Sequence, residues 1–182
     1  MSVREVYEEE LQKRGYQSDP AQLRAIEALE RCAKEWAAYK SKRSGLLAKF
    51  MSRPEIPKGV YMFGGVGRGK SFLMDCFFAA VPIERKTRLH FHEFMREVHR
   101  ELAVIQGTVN PLDELGKRMA KRYQLICFDE FHVADITDAM ILHRLLVALF
   151  DNGVGFVTTS NFEPDGLYPD GLHRDRILPA IA

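Results

Sequence analysis

Gly64-Gly65-Val66-Gly67-Arg68-Gly69-Lys70-Ser71 reads G-x-x-x-x-G-K-S, the spacing of a loop that wraps phosphates. Both flanks fit that use. Val60-Tyr61-Met62-Phe63 is a short apolar, β-rich run that enters the loop as a strand. Ser71 to Phe78 continues as a mostly buried helix. Glycines let the backbone close into a nest of inward N–H groups. The following helix adds its unpaired N-terminal donors and the positive end of its dipole. Gly64, Gly65, Val66, Gly67, Arg68, Gly69, Lys70, Ser71 and Phe72 are therefore the expected contacts to a nucleotide. Lys70 is the cation for the β- and γ-phosphates and Ser71 the hydroxyl ligand of Mg²⁺.

Upstream, Val3 to Arg14 carries Val3, Tyr7 and Leu11 at four-residue spacing, and Gly15 stops it. Ser18-Asp19-Pro20 opens a second helix with Leu23, Ile26, Leu29, Ala33 and Trp36 on one face. Its later part is basic, through Lys34, Lys40, Lys42, Arg43 and Lys49, a solvated face or a contact for nucleic acid or an acidic partner. Pro54-Glu55-Ile56-Pro57 breaks the pattern. These signals divide the chain into a helical segment, 1–53, and a nucleotide-binding core, 54–182.

Downstream, Thr87 to His92 alternates as a strand, Glu93 to Gln106 is an amphipathic helix, and Leu112 to Arg122 is another. Leu125-Ile126-Cys127-Phe128 is a strand buried on both faces. Ile136 to Asp151 is a helix with Met140, Ile141, Leu145 and Leu149 inward, and Val154 to Thr159 the next buried strand. Alternating strands and helices imply an α/β fold, a three-layer parallel sheet with helices on both faces. Ligands then lie at the carboxyl ends of the strands.

More chemistry falls at those ends. Asp129 follows the buried strand beside the glycine loop and can hold Mg²⁺ through water; Glu130 projects further, placed as general base for an attacking water. Asn161, after Thr158-Thr159-Ser160, can orient that water or serve as a turn residue. Gln22 carries an amide able to recognise adenine, or is a plain exposed helix residue. His90 and His92 share a strand face and His99 follows, with no cysteine or second carboxylate cluster at metal-ligand spacing.

With 182 residues, a hydrophobic share of 46% and a net charge of +1, the composition is that of a globular domain with no global pull toward nucleic acid or membrane. No apolar run approaches the length of a membrane span, so no stable membrane insertion is expected. The acidic N-terminus resembles neither a secretory signal nor a transit peptide. Three dispersed cysteines suit buried thiols in a reducing cytoplasm.

Together these residues resemble the ZapE cell-division ATPases of bacteria and their mitochondrial relatives, the AFG-one-like ATPases. The resembling segments are Tyr16 to Gln22, the glycine loop, Leu89-His90-Phe91-His92-Glu93-Phe94-Met95, Cys127 to Leu142, Thr159-Ser160-Asn161, Leu167-Tyr168 and Gly171 to Arg176. They cover nearly the whole chain. The resemblance implies an AAA+-like, Mg²⁺-dependent ATPase that works as a homo-oligomer on a protein partner. For the bacterial branch that partner is the division-ring protein FtsZ, at the inner face of the membrane. The lack of a transit peptide favours that branch. Family members continue past Ala182 with a further strand and a helical lid, so both are expected to be missing and the chain to be weakly active and mostly monomeric.

Arg174 and Arg176 follow the Asn161 strand. In an AAA+-like sheet that segment runs to the subunit edge, where an arginine can reach a neighbour's γ-phosphate; alternatively both pair with Asp170 and Asp175 on the surface. Other functions are a helicase-like ATPase stimulated by nucleic acid and a small-metabolite kinase. Only the basic cluster hints at the first, and a water-activating Glu130 argues against the second.

Overall fold

The computed structural model describes residues 1–45, 55–64, 69–105, 107–133, 135–162 and the backbone of 177–181. The elements run α1 Val3–Arg14, α2 Pro20–Ser44, β1 Gly59–Phe63, α3 Lys70–Ala80, β2 Lys86–His90, α4 Phe91–Val104, α5 Pro111–Arg122, β3 Leu125–Asp129, α6 Ile136–Asp151, β4 Gly155–Ser160 and β5 Ile177–Ile181. Local chemistry sets several of these bounds. Ser2 caps α1 in a reciprocal box with Glu5, and Gly15 closes it. Asp19 accepts from Ala21 N–H at the head of α2, with Pro20 in the first turn. Asp135 does the same for α6 through Thr137 N–H.

The strands form one parallel sheet in the order β2-β3-β4-β1-β5. The period-2 alternation of the strands sorts the core into two layers. Val60, Met62, Leu125, Cys127 and Val157 face α1, α2 and α3. Tyr61, Ile126, Phe128 and Phe156 face α4, α5 and α6. The expected three-layer arrangement is present, with the N-terminal helices packed on α3 and the sheet. Burial pushes the thiol of Cys32 up to about 12 and that of Cys76 up to about 11, as suits cysteines used for packing.

Two expectations need correction. The strand expected over 87–92 ends at His90, and Phe91 and His92 begin α4. Leu89 and Phe91 satisfy a strand period, but Phe91, Phe94, Met95 and Val98 satisfy a helical one. The helix wins because it brings Phe91 and Phe94 onto Phe128, with ring centroids 5.6 and 4.7 Å away. In α6 the buried stripe is Leu142, Leu145, Leu146 and Leu149, while Met140 is exposed. That helix is apolar nearly all round, so four-residue spacing did not choose its face. The closing residues, to which no element was assigned, form a strand: Ile177–Ile181 pairs in parallel with β1, Val60 opposite Leu178.

The start of β4 is held by a close approach. A Cβ on Gly155 would be driven into the Trp36 ring and stand 3.2 Å from Cη2. Gly155→Ala should therefore cost about 1–3 kcal/mol of stability through overpacking. Urea unfolding followed by circular dichroism measures this. The penalty should shrink when Trp36→Leu vacates the space, and an equal penalty in both backgrounds would show that the ring is not the obstacle.

Candidate nucleotide site

The parallel register lines up the carboxyl ends of the strands. His90 lies opposite Asp129, Phe128 opposite Thr158, and Phe63 opposite Ser160. The chain therefore leaves β1 at Gly64, β3 at Glu130 and β4 at Asn161 along one edge. Gly65, Val66, Gly67 and Arg68 lie outside the described residues, as do Arg174 and Arg176.

Gly69 is the residue before α3, with φ of 79°, a conformation open to glycine at little cost. No side chain caps the first turn of α3, so its leading N–H groups meet no side-chain acceptor from the cap position, which suits an anion. Lys70 donates from Nζ to Gly64 O at 2.9 Å. Gln22 reaches Gly69, for a Cβ there would stand 2.5 Å from Gln22 Nε2. Its Oε1 accepts from Tyr7 Oη–H at 2.9 Å. The amide is thus placed by α1 and α2 against the turn into α3. The Phe72 side chain is buried between the Tyr7 and Tyr16 rings, with the Arg14 guanidinium 5.0 Å from its centroid. It fixes the helix that carries Lys70 and Ser71, and any contact it makes to a nucleotide runs through its backbone.

Asp129 is the last residue of β3 and is buried. Arg88 of β2 donates to both its oxygens, from Nε at 2.7 Å and from Nη2 at 3.2 Å. The same guanidinium pairs with Asp75 of α3 and donates from Nη2 to Ser71 O at 3.3 Å. Burial works against the charge of Arg88, but its hydrogen bonds to Asp129 and Asp75, with their negative charge, outweigh it and hold its pKa above the ordinary value. Sequence patterning did not single Arg88 out. The available signal is a cation inside a strand, opposite Cys127 and two residues from the β3 acid.

Glu130 has φ of 55°, the one non-glycine residue in the left-handed region among those described. That conformation costs about 1 kcal/mol or more and persists where its surroundings enforce it. Here they do. Glu130 N–H donates to Thr159 Oγ1 at 3.2 Å, Phe131 N–H to Thr159 O at 2.8 Å, and Ser160 Oγ–H to Phe131 O at 2.6 Å. The turn exposes the Glu130 side chain, with its carboxylate 3.6 Å from His90 Nδ1. His90 and His92 rings stack at 5.5 Å, and among the described residues no cluster of ligand-type side chains forms a metal centre. Asn161 is exposed just past β4, and Tyr61 Oη–H ties the next residue down by donating to Phe162 O at 2.8 Å.

At the other end of the strands a cavity of about 720 Å³ opens between α2 and α5, lined by Lys40, Arg43, Arg85, Lys117 and Lys121 among others. It gathers part of the basic cluster but receives none of the residues at the carboxyl ends. Among the described residues no helix is long and apolar enough to cross a membrane.

The comparisons agree with this arrangement. The model of the AFG1-like ATPase family matches residues 1–182. The cell division protein ZapE of Escherichia coli K12 is 45% identical over 186 aligned residues, covering 96% of this chain and 50% of that protein. Lactation elevated protein 1 homolog B of Danio rerio is 42% identical over 141, covering 71% of this chain and 28% of that protein. The chain thus spans half or less of the length of these relatives. Among solved structures, AMPPCP-bound DnaA from Aquifex aeolicus superposes with a TM-score of 0.53 at 15% identity, over 92% of this chain and 49% of that one. That likeness shows the fold, a P-loop nucleotide-binding sheet. Sequence, sheet order and the edge that gathers Lys70, Asp129 and Glu130 converge, and the chain belongs to the AFG1-like ATPase family.

Proposed function

We propose that the chain binds ATP with Mg²⁺ at the carboxyl edge of the sheet. Within a homo-oligomer of the complete protein it would hydrolyse ATP to remodel a protein partner. The observation that most supports this is the raised turn at Glu130, which holds a carboxylate out beside buried Asp129 and the uncapped head of α3. The residues fit the ligand. Gly64 to Phe72 would cradle the phosphates with backbone N–H groups. Lys70 would exchange its bond to Gly64 O for phosphate oxygens. Ser71 Oγ and Asp129, directly and through water, would hold Mg²⁺, which supplies charge neutralisation at the β- and γ-phosphates. Glu130 would take the proton from the attacking water, and Asn161 would orient that water. Gln22, fixed by Tyr7, lies on the loop side where a base could meet its amide. Residues 1–53 would then be a helical segment that completes the nucleotide site of the core at 54–182.

The remodelling role rests on similarity to a cell division protein, and FtsZ is the partner we propose, with the chain acting at the division site on the cytoplasmic face of the inner membrane. The cavity lined by Lys40, Arg43, Arg85, Lys117 and Lys121 keeps a second reading in view, an ATPase stimulated by nucleic acid. Phosphate release measured with and without single-stranded DNA separates the two, and equal rates are expected.

Lys70→Ala should abolish nucleotide binding, because the loop loses its phosphate-directed cation. Glu130→Gln should keep binding and lose roughly 10²–10⁴ of turnover in the complete protein, the span of a general base. Calorimetry and phosphate release distinguish these outcomes, and unchanged turnover in Glu130→Gln would assign the water to another group. Arg174 and Arg176 we propose as fingers that act on a neighbouring subunit, a role worth roughly 10³–10⁵ in rate. Mixing Arg174→Ala or Arg176→Ala subunits with Lys70→Ala subunits should then restore activity. No rescue, with specific activity independent of concentration, would count against delivery in trans.

A further inference from the structure

A guanidinium at the centre of the site links groups that the nucleotide reading uses separately. Ser71 begins the second position of α3, and Asp129 ends β3, a different strand 58 residues later in the chain (129 − 71). No backbone hydrogen bond joins α3 to β3 directly, since a helix satisfies its own carbonyls except near its ends. Arg88 Nη2 nevertheless donates to both, to Ser71 O at 3.3 Å and to Asp129 Oδ1 at 3.2 Å. Its Nε holds the other carboxylate oxygen at 2.7 Å, and Nη1 is anchored by Asp75 further along α3.

We propose that Arg88 is a positioning residue for the metal. It fixes the position of Ser71 relative to the Asp129 carboxylate, so that Mg²⁺ would meet the hydroxyl directly and the carboxylate through water. This rests on the nucleotide reading of the site. A planar fork can do this where a lysine cannot. One group spans two acceptors of Asp129, a backbone carbonyl and a second carboxylate in a single rigid plane. A carboxylate has about four lone-pair positions, so the two that Arg88 uses leave others for water on the metal. The arrangement matches what is found around protein-bound metals generally, where the group behind a ligand fixes its angle and basicity. Arg88 side-chain exposure is 22% and that of Asp129 is 12%, so solvent competes weakly for these bonds. The pairing is also intrinsic to the register. Arg88 lies opposite Cys127 on β3, and both side chains point to the α3 face, where Asp129 follows two residues on.

The test is calorimetric binding of the non-hydrolysable analogue AMP-PCP to the folded chain, once with Mg²⁺ and once with EDTA. The quantity read is the gain in affinity that Mg²⁺ brings. Arg88→Ala should lower that gain about 10–100-fold, the usual effect of removing a group that orients a metal ligand, and leave the affinity in EDTA unchanged. Arg88→Lys should rescue little of it, because an ammonium cannot hold both oxygens and Ser71 O together. Asp75→Ala removes the outer anchor at a half-exposed helix position. It should give a smaller loss in the same direction, which keeps the proposal testable if Arg88→Ala does not fold. Equal losses in Mg²⁺ and in EDTA would overturn the proposal in favour of simple support for the fold. A larger Mg²⁺ gain in Arg88→Ala would overturn it in favour of a guanidinium that competes with the metal. Wild-type chain that binds no AMP-PCP in either condition would take down the nucleotide reading itself. A wild type with a normal Mg²⁺ gain that Arg88→Ala retains would take down only the role of Arg88.

Discussion

The central strands of the sheet are covered on both faces, and that constraint governs where polar chemistry can exist. A side chain in the body of β1, β3 or β4 has no water on either side, so any unpaired polar group there costs free energy of the order of kcal/mol. The strands comply: the buried polar side chains among the described residues are Asp129, Thr158, Thr159 and Ser160, all in the C-terminal portions of β3 and β4. Most find partners. Asp129 has Arg88, Thr159 receives the Glu130 amide, and Ser160 donates to Phe131 O. Parallel pairing then does the rest. Because every strand runs the same way, all polar ends emerge on one edge, and a site is assembled from segments far apart in sequence.

That logic explains what was legible in the sequence. Unbroken apolar runs ending in Asp-Glu or in Thr-Thr-Ser announced doubly covered strands, and the structure places β3 and β4 within a residue or so of those bounds. The head of α2 was legible because Asp19 before Pro20 has one good reason to stand where it does, whereas the caps Ser2 of α1 and Asp135 of α6 are plain only in the structure. The buried face of α6 was not, since a helix apolar all round gives a period without a phase. The end of β2 was not, since two periods fit Leu89 and Phe91 and only the aromatic cluster on Phe128 chose between them. β5 carries no pattern of its own, and Pro179 within it suits an edge position beside β1.

The candidate site was named from spacing, and spacing is silent about how its parts are held. A glycine loop with lysine and serine states its chemistry by spacing alone. Arg88 states nothing by spacing, because its partners Ser71, Asp75 and Asp129 come from two other elements. The left-handed turn at Glu130 is equally silent. Nothing in the local composition asks a glutamate to take a positive φ, and only the neighbouring strand, through Thr159, imposes it. Candidate ligand contacts can be named from residue types in order. Residues that aim them depend on tertiary geometry.

The contact between Gln22 and the turn at Gly69 bears on the order in which the molecule is made. Gln22 leaves the ribosome 47 residues before Gly69, the glycine it adjoins, and Tyr7, which holds Gln22, leaves 62 residues before it. The paired helices α1 and α2 can associate early, since their contacts are local, and then present a ready template against which the later loop closes. The strands on which that loop depends are not complete until β4 and β5 have emerged, because β1 lies between them in the sheet. A nascent chain paused between α3 and β4 would therefore carry the loop sequence without the neighbouring strands of β1.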